Sequence, residues 1–348
     1  MLALYEKGFI STVMDKFFPT VEMLSATGAE QKRWHGQAEE TARSSFGREV
    51  FIRGVVEVSN FCRENCAYCG MRRDNRGLQR YRARLDELTE LLLHHRPECI
   101  TDINFQAGED PVVVREVVIP LIETLREQTN LGFSVCLGTL NEKLYSELRD
   151  AGAGMYIIKF ETGDLDLYRE MQSPGTLPER LRHIRLLASE GWFVSSGFIA
   201  GLPGQSLESL LLNFQVASEL PLNGCSVSPF IPGEATLFSD SPAANLDLTV
   251  NCMAALRLMN PDWVIPAVSA LNLTDAVDGY RRGLMAGANL CTINLTPSGL
   301  RDDYLLYKRK RYIMNEERIL RAIAEAGLKP SRESLAARYW REPAGQPT

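Results

Sequence analysis

The chain has 348 residues, and its 38 Lys and Arg against 44 Asp and Glu leave a net charge of -6. Hydrophobic residues make up 45% and charged residues 24%, which excludes a disordered chain and supplies ample material for a core. The acidic balance argues against a nucleic-acid partner, and no run approaches the roughly 18 apolar residues of a membrane span.

Residues 1–49 read as an N-terminal helical extension, with a charged, helix-permissive run over 30–46 and a stop at Gly47. Glu6 and Lys7 interrupt the apolar stretch at the N-terminus, so no secretory signal is read there and a cytoplasmic protein is expected. From Val50 the β-branched run VFIRGVVEVS predicts a strand over 51–58. Further strands are predicted at 101–105, 133–137, 155–159, 193–200, 223–228, 263–267 and 289–294. Amphipathic stretches at 85–95, 113–128, 141–152, 177–191 and 206–220 alternate with them, and Gly152 and Gly191 stand where helix C-caps belong. Eight strands, each followed by a helix, predict an α/β fold: a complete (β/α)8 TIM-type barrel over residues 50–330. An incomplete six-strand barrel with extra terminal elements is the alternative, and residues 331–348 read as a C-terminal tail. In such a barrel the chemistry sits on the loops that follow the strands.

Eight cysteines are present, and three of them fall in the loop after the first strand. Cys62, Cys66 and Cys69 form a Cys-x3-Cys-x2-Cys pattern, while His35, His94, His95 and His183 are all distant in sequence. A structural zinc site takes four ligands, typically from two paired turns. Three thiolates on one loop instead suit three irons of a 4Fe-4S cluster, with the fourth iron open. The other five, Cys99, Cys136, Cys225, Cys252 and Cys291, are scattered singly and read as small buried hydrophobes.

Cys62, Cys66 and Cys69, with Tyr68 before the last, resemble the signature of the radical S-adenosylmethionine (SAM) superfamily. The resemblance implies that the open iron chelates SAM and that the reduced cluster cleaves it to a 5′-deoxyadenosyl radical. It also implies contacts with the cofactor. Tyr68 belongs to them. Gln106, Gly108 and Glu109 in QAGEDP are similar to the turn that holds the methionine amino group. Glu161 in KFETG matches a carboxylate that contacts the cofactor, and Arg180 matches the basic residue that pairs with the methionine carboxylate. Gly201 in IAGLPGQS resembles the glycine motif near the adenine.

The resemblance runs from about residue 50 to 330. It is to the group of FeFe-hydrogenase H-cluster maturase, methylornithine synthase and biotin synthase, nearest the maturase in the cluster loop. Ser195 and Ser196 stand where biotin synthase has ligands for a second cluster, so biotin synthesis is not expected. IPAVSAL offers Val268, Ser269 and Ala270 in place of the acid of methylornithine synthase. Lys159 stands where the maturase has an arginine, which keeps the charge and loses the fork. The expected function is therefore maturase-like metallocofactor biosynthesis, with sulfur insertion, an amino-acid mutase or a non-catalytic Fe-S scaffold as alternatives. Substrate contacts are expected from Lys159, Ser269, Asn294, Thr296, Arg301 and Tyr304. The basic run Lys308 to Arg311 suits an anionic substrate, small or carrier-bound. The class implies an electron donor such as flavodoxin or ferredoxin.

Overall fold

The computed structural model describes residues 17–309 and 313–340. Its strands are β1 (Glu49–Ser59), β2 (Asp102–Ala107), β3 (Gly132–Cys136), β4 (Met155–Ile157), β5 (Phe193–Ala200), β6 (Gly224–Pro229), β7 (Leu290–Asn294) and β8 (Lys329–Pro330). Seven of them form one curved parallel sheet in the order β6-β5-β4-β3-β2-β1-β7, and β8 extends the lower end of β1. Parallel pairing needs crossovers. Helices Leu85–His94, Ile119–Gln128, Glu142–Ala151, Leu177–Ser189 and Leu207–Glu219 provide them between β1 and β6, as the sequence periodicity requires, and each buries its apolar stripe against the sheet. Asn141, Thr176 and Ser206 cap three of these helices with their side chains.

The predicted strand at 263–267 is present only as two bridges. Val264 pairs with Gly224 of β6, and Pro266 pairs with Leu290 of β7. Pro266 has no N–H to give to a ladder, which breaks the segment as a regular strand. Its neighbours still bond on both sides: Cys225 N–H donates to the Val264 carbonyl (3.1 Å), and Ala267 N–H to the Leu290 carbonyl (2.8 Å).

Two terminal pieces pack onto this α/β body. Helix Gly28–Phe46 lies on helix Leu246–Met259, whose Thr249–Arg257 stretch is buried as a result. Asn251 ties the contact, donating from Nδ2 to the carbonyls of Leu24 (3.0 Å) and Ala26 (2.9 Å). At the floor, the short helix Leu335–Tyr339 sits inside the segment read from sequence as a tail. Leu335 is fully buried in an apolar cluster with Phe51, Met155, Ile157, Val264 and Leu290. The buried Asp102 carboxylate accepts the N–H groups of Leu335 (2.8 Å) and Ala336 (3.1 Å), a negative charge at a helix start.

The interior follows from strand alternation. β1 turns Arg53, Val55 and Glu57 inward, and β2 turns Asn104 and Gln106. Barrel centres of this kind are usually filled by bulky branched side chains. Here Ser195, Ser226, Ser228 and Thr292 are too short to fill it, and a cavity of about 160 Å³ remains.

Candidate functional site

The loop after β1 carries the three cysteines, and it is fixed by its own polar side chains. Asn60 donates to the carbonyls of Gln79 (2.8 Å) and Asp303 (2.7 Å), and its own carbonyl accepts the Tyr81 N–H (2.7 Å). Arg80 donates to the carbonyls of Met71 (2.8 Å) and Arg72 (2.7 Å). Arg82 forks onto Asp110 at 2.7 and 3.0 Å, and Ser59 donates to the same carboxylate at 2.7 Å. The loop is thereby tied to the end of β2.

The contact between the two strand ends is close. The Glu109 N–H donates to the Cys62 sulfur at 3.4 Å. A side chain at Gly108 would put its Cβ 2.2 Å from the Phe61 carbonyl and 2.7 Å from the Cys62 Cβ. Only glycine lets the QAGEDP turn press against the cysteine loop. Burial pushes all three thiols up, Cys69 to about 12; Cys69 and Cys62 raise Cys66 further, and Cys62 raises Cys69. Three buried thiols of this kind ionise readily only when a cation joins them. Among the described residues, no three His, Cys, Asp or Glu gather round a single-ion site.

Beside Tyr68 and Cys69 opens a second cavity of about 100 Å³, lined also by Glu161 and Ile199. Glu161 takes a left-handed backbone (φ 62°), a strained state for a side chain of this size. Bonds from Phe160 and Glu161 to the Gly197 carbonyl, both 3.1 Å, hold it there. Burial raises the Glu161 carboxyl, and Lys159 and Arg180 pull it back. Its oxygens have no hydrogen-bond partner among the described residues. Lys159, Ser228, Leu306 and Tyr307 line both cavities, so the two lie side by side. The Lys159 ammonium donates to Ser228 at 3.3 Å.

Arg180 is buried with Glu109, 2.9 Å from its carboxylate. It also donates to Thr139 Oγ1 (2.6 Å) and to the Lys159 carbonyl (2.8 Å). Burial pulls the guanidinium down, but Glu109, Tyr168 and Glu161 outweigh it and hold Arg180 above its ordinary value. Its Nη2 has no partner among the described residues. Glu109 is fully engaged: Thr139 N–H (2.9 Å) and Arg63 Nε (3.1 Å) donate to it as well. The expected cofactor residue Glu109 therefore orients Arg180 and the loop.

The other expected residues separate into two sets. Gln106, Ser269 and Asn294 line the central cavity with Lys159. Thr296 is fully buried, and its hydroxyl bonds Glu57 (3.2 Å). Arg301 donates to the Thr296 and Asn294 carbonyls, and Tyr304 packs with Met71, Leu78 and Leu305. These three build the frame and line neither cavity. Gly201 (φ 77°) turns the chain after β5 and faces Ala244. Lys308 and Arg309 are exposed, and Lys310 and Arg311 lie outside the described residues.

Among the wall residues that escaped the sequence reading are Arg53, Glu57 and Asn104. Polar residues at alternate positions of otherwise apolar strands were the available signal. Cys136, expected as a buried hydrophobe, also stands on this wall, whereas Cys225, Cys252 and Cys291 do lie in the apolar core.

Comparison with known proteins agrees with this geometry. Residues 56–214 match the radical SAM superfamily. The [FeFe] hydrogenase maturase subunit HydE of Thermotoga maritima is 31% identical over 301 residues, covering 85% of this chain and 86% of that protein. The 3-methylornithine synthase of Methanosarcina barkeri is 26% identical, covering 87% and 86%. The crystal structure of methylornithine synthase (PylB) superposes with a TM-score of 0.79 at 25% identity, over 91% of this chain and 95% of that one. Among the described residues, no helix is long and apolar enough to cross a membrane. The chain is an enzyme of the radical SAM superfamily.

Proposed function

We propose that this chain is a hydrogenase-maturase-like enzyme of metallocofactor biosynthesis that holds a 4Fe-4S cluster on Cys62, Cys66 and Cys69 and binds SAM beside it. The single observation that carries the reading is the pressing of Gly108 and Glu109 onto Cys62, next to a cavity walled by Cys69, Tyr68 and Glu161. When bound, the cluster supplies the electron that cleaves SAM to a 5′-deoxyadenosyl radical. The chain supplies binding and orientation. Arg180, fixed by Glu109, offers its Nη2 to the methionine carboxylate. Glu161, whose oxygens have no hydrogen-bond partner among the described residues, accepts from a ligand donor, and Tyr68 closes the same wall. The buried walls keep water from the radical.

The two bridges of 264–266 favour a complete eight-membered barrel over residues 50–330, with 1–49 as an extension and a C-terminal segment from 331 whose helix Leu335–Tyr339 packs under the sheet. Lys159 and Arg53 favour an anionic substrate in the inner cavity. An electron donor of the flavodoxin or ferredoxin type and a cytoplasmic location complete the reading. None of the eight cysteines is joined in a disulfide, as a reducing compartment keeps them. A pure scaffold would not need the cavity beside the cysteines.

The test is anaerobic. Protein reconstituted with iron and sulfide and reduced with dithionite is expected to release 5′-deoxyadenosine from SAM. Cys66→Ala should release none and bind less iron. A Cys66→Ala protein that still cleaves SAM would sink the proposal.

A further inference from the structure

We propose that Cys136 is a catalytic thiol, the hydrogen-atom donor to a carbon radical formed in the barrel cavity; this rests on the radical reading above. Cys136 ends β3 and pairs in register with Gln106, the residue two before Gly108. Its sulfur therefore stands one strand away from the turn that presses on the cysteine loop. It lines the inner cavity with Gln106 and Lys159, and among the described residues no other cysteine lines that cavity.

The wall around it is built for a polar ligand. Asn104 is 1% exposed, and its carbonyl accepts the Ser134 hydroxyl at 3.0 Å. Its amide Nδ2 has no partner among the described residues and faces the cavity. Ser195 of β5, 6% exposed, also lines the cavity, and its hydroxyl has no partner among the described residues. Buried donors left unmade are costly, and a ligand in this cavity would satisfy both.

The chemistry of the thiol follows from its surroundings. Burial pushes Cys136 up, while Lys159 and Arg53 pull it down less strongly, so it stays protonated. A neutral S–H is a poor nucleophile but a good hydrogen-atom donor, because the bond is weaker than an alkyl C–H. The hydroxyls of Ser195 and Ser228 hold their hydrogens too strongly for this. The step balances. The S–H bond breaks homolytically, a C–H bond forms on the substrate carbon, and a thiyl radical remains on Cys136. One electron from the low-potential one-electron donor that the reaction class already uses, and one proton from solvent, restore the thiol. The Lys159 ammonium is placed to relay that proton.

SAM itself serves as the probe. In D2O the thiol becomes S–D, and without substrate the 5′-deoxyadenosyl radical takes its hydrogen from the wall. Dithionite-reduced wild type should give 5′-deoxyadenosine carrying one solvent deuterium. Cys136→Ser should lower that deuterium at least fivefold, and Cys291→Ser, a core change, should not. Equal deuterium in wild type and Cys136→Ser overturns the proposal and leaves the radical reading intact. No 5′-deoxyadenosine from any variant overturns both. A second readout needs no cluster. In cluster-free protein, 5′-deoxyadenosine plus methionine should slow iodoacetamide labelling of Cys136 several-fold by peptide mass spectrometry. Unchanged labelling overturns the placement of the thiol.

Discussion

Glu109→Ala probes the ion pair that orders the site. The Glu109 carboxylate is 6% exposed and binds three donors: Arg180 at 2.9 Å, the Thr139 N–H at 2.9 Å and Arg63 at 3.1 Å. Arg180 is equally buried, so truncating Glu109 leaves a buried guanidinium without its counter-charge. Breaking one side of a buried pair costs about 3–5 kcal/mol. Arg63→Ala removes the outer partner, whose side chain is 53% exposed, and should cost only about 0.2–1 kcal/mol. Urea denaturation of cluster-free protein, followed by circular dichroism under anaerobic conditions, measures both. The ordering is the test. If Glu109→Ala loses no more stability than Arg63→Ala, the Glu109–Arg180 pair does not hold the site together. Glu109→Gln separates charge from shape: it keeps an acceptor for Thr139 and should fall between the two.

Two further outcomes follow from local geometry. Gly108→Ala would force the Phe61 carbonyl and Cys62 apart, so reconstituted iron should drop well below wild type while far-ultraviolet circular dichroism stays native; full iron loading would show that the close approach is dispensable. His35 is half-buried, which lowers its imidazole below the ordinary value, and its Nε2 lies 2.9 Å from Asn251 Oδ1. The unfolded chain then binds more protons than the folded one just below about pH 6.5, so stability is full above that pH and is lost as pH falls through it. The slope should reach at most about 1.4 kcal/mol per pH unit for this group. His35→Gln should flatten the curve between pH 6.5 and 5, with His183, lowered by burial and by Arg182, supplying the remainder. An unchanged acid limb would refute the assignment.

The sequence by itself determined the element order and the thiol loop. The strand at 193–200 agrees to the residue and the others, 263–267 apart, lie within two residues at each end, because alternating β-branched runs and helical stripes are local properties. The cysteine spacing is likewise a property of one short segment. What the sequence could not decide depends on residues far apart in the chain. Pro266 was read inside a strand, yet its missing N–H leaves only bridges there. Residues 331–348 were read as a tail, but Asp102, more than 200 positions earlier, captures the helix at 335. Arg180 was matched to a ligand carboxylate, and only the fold shows that Glu109 reaches it first. Thr296 and Arg301 carry polar groups like those of a binding wall, but Glu57 and backbone carbonyls take them up, and the Tyr304 ring packs in an apolar cluster. Cys136 is one scattered cysteine in the sequence, and the curvature of the parallel sheet round a core of short side chains is what gives it a cavity to face. Local periodicity fixes which residues form each strand. Which polar group is spent on the frame, and which is left for a ligand, is settled only when distant strands meet.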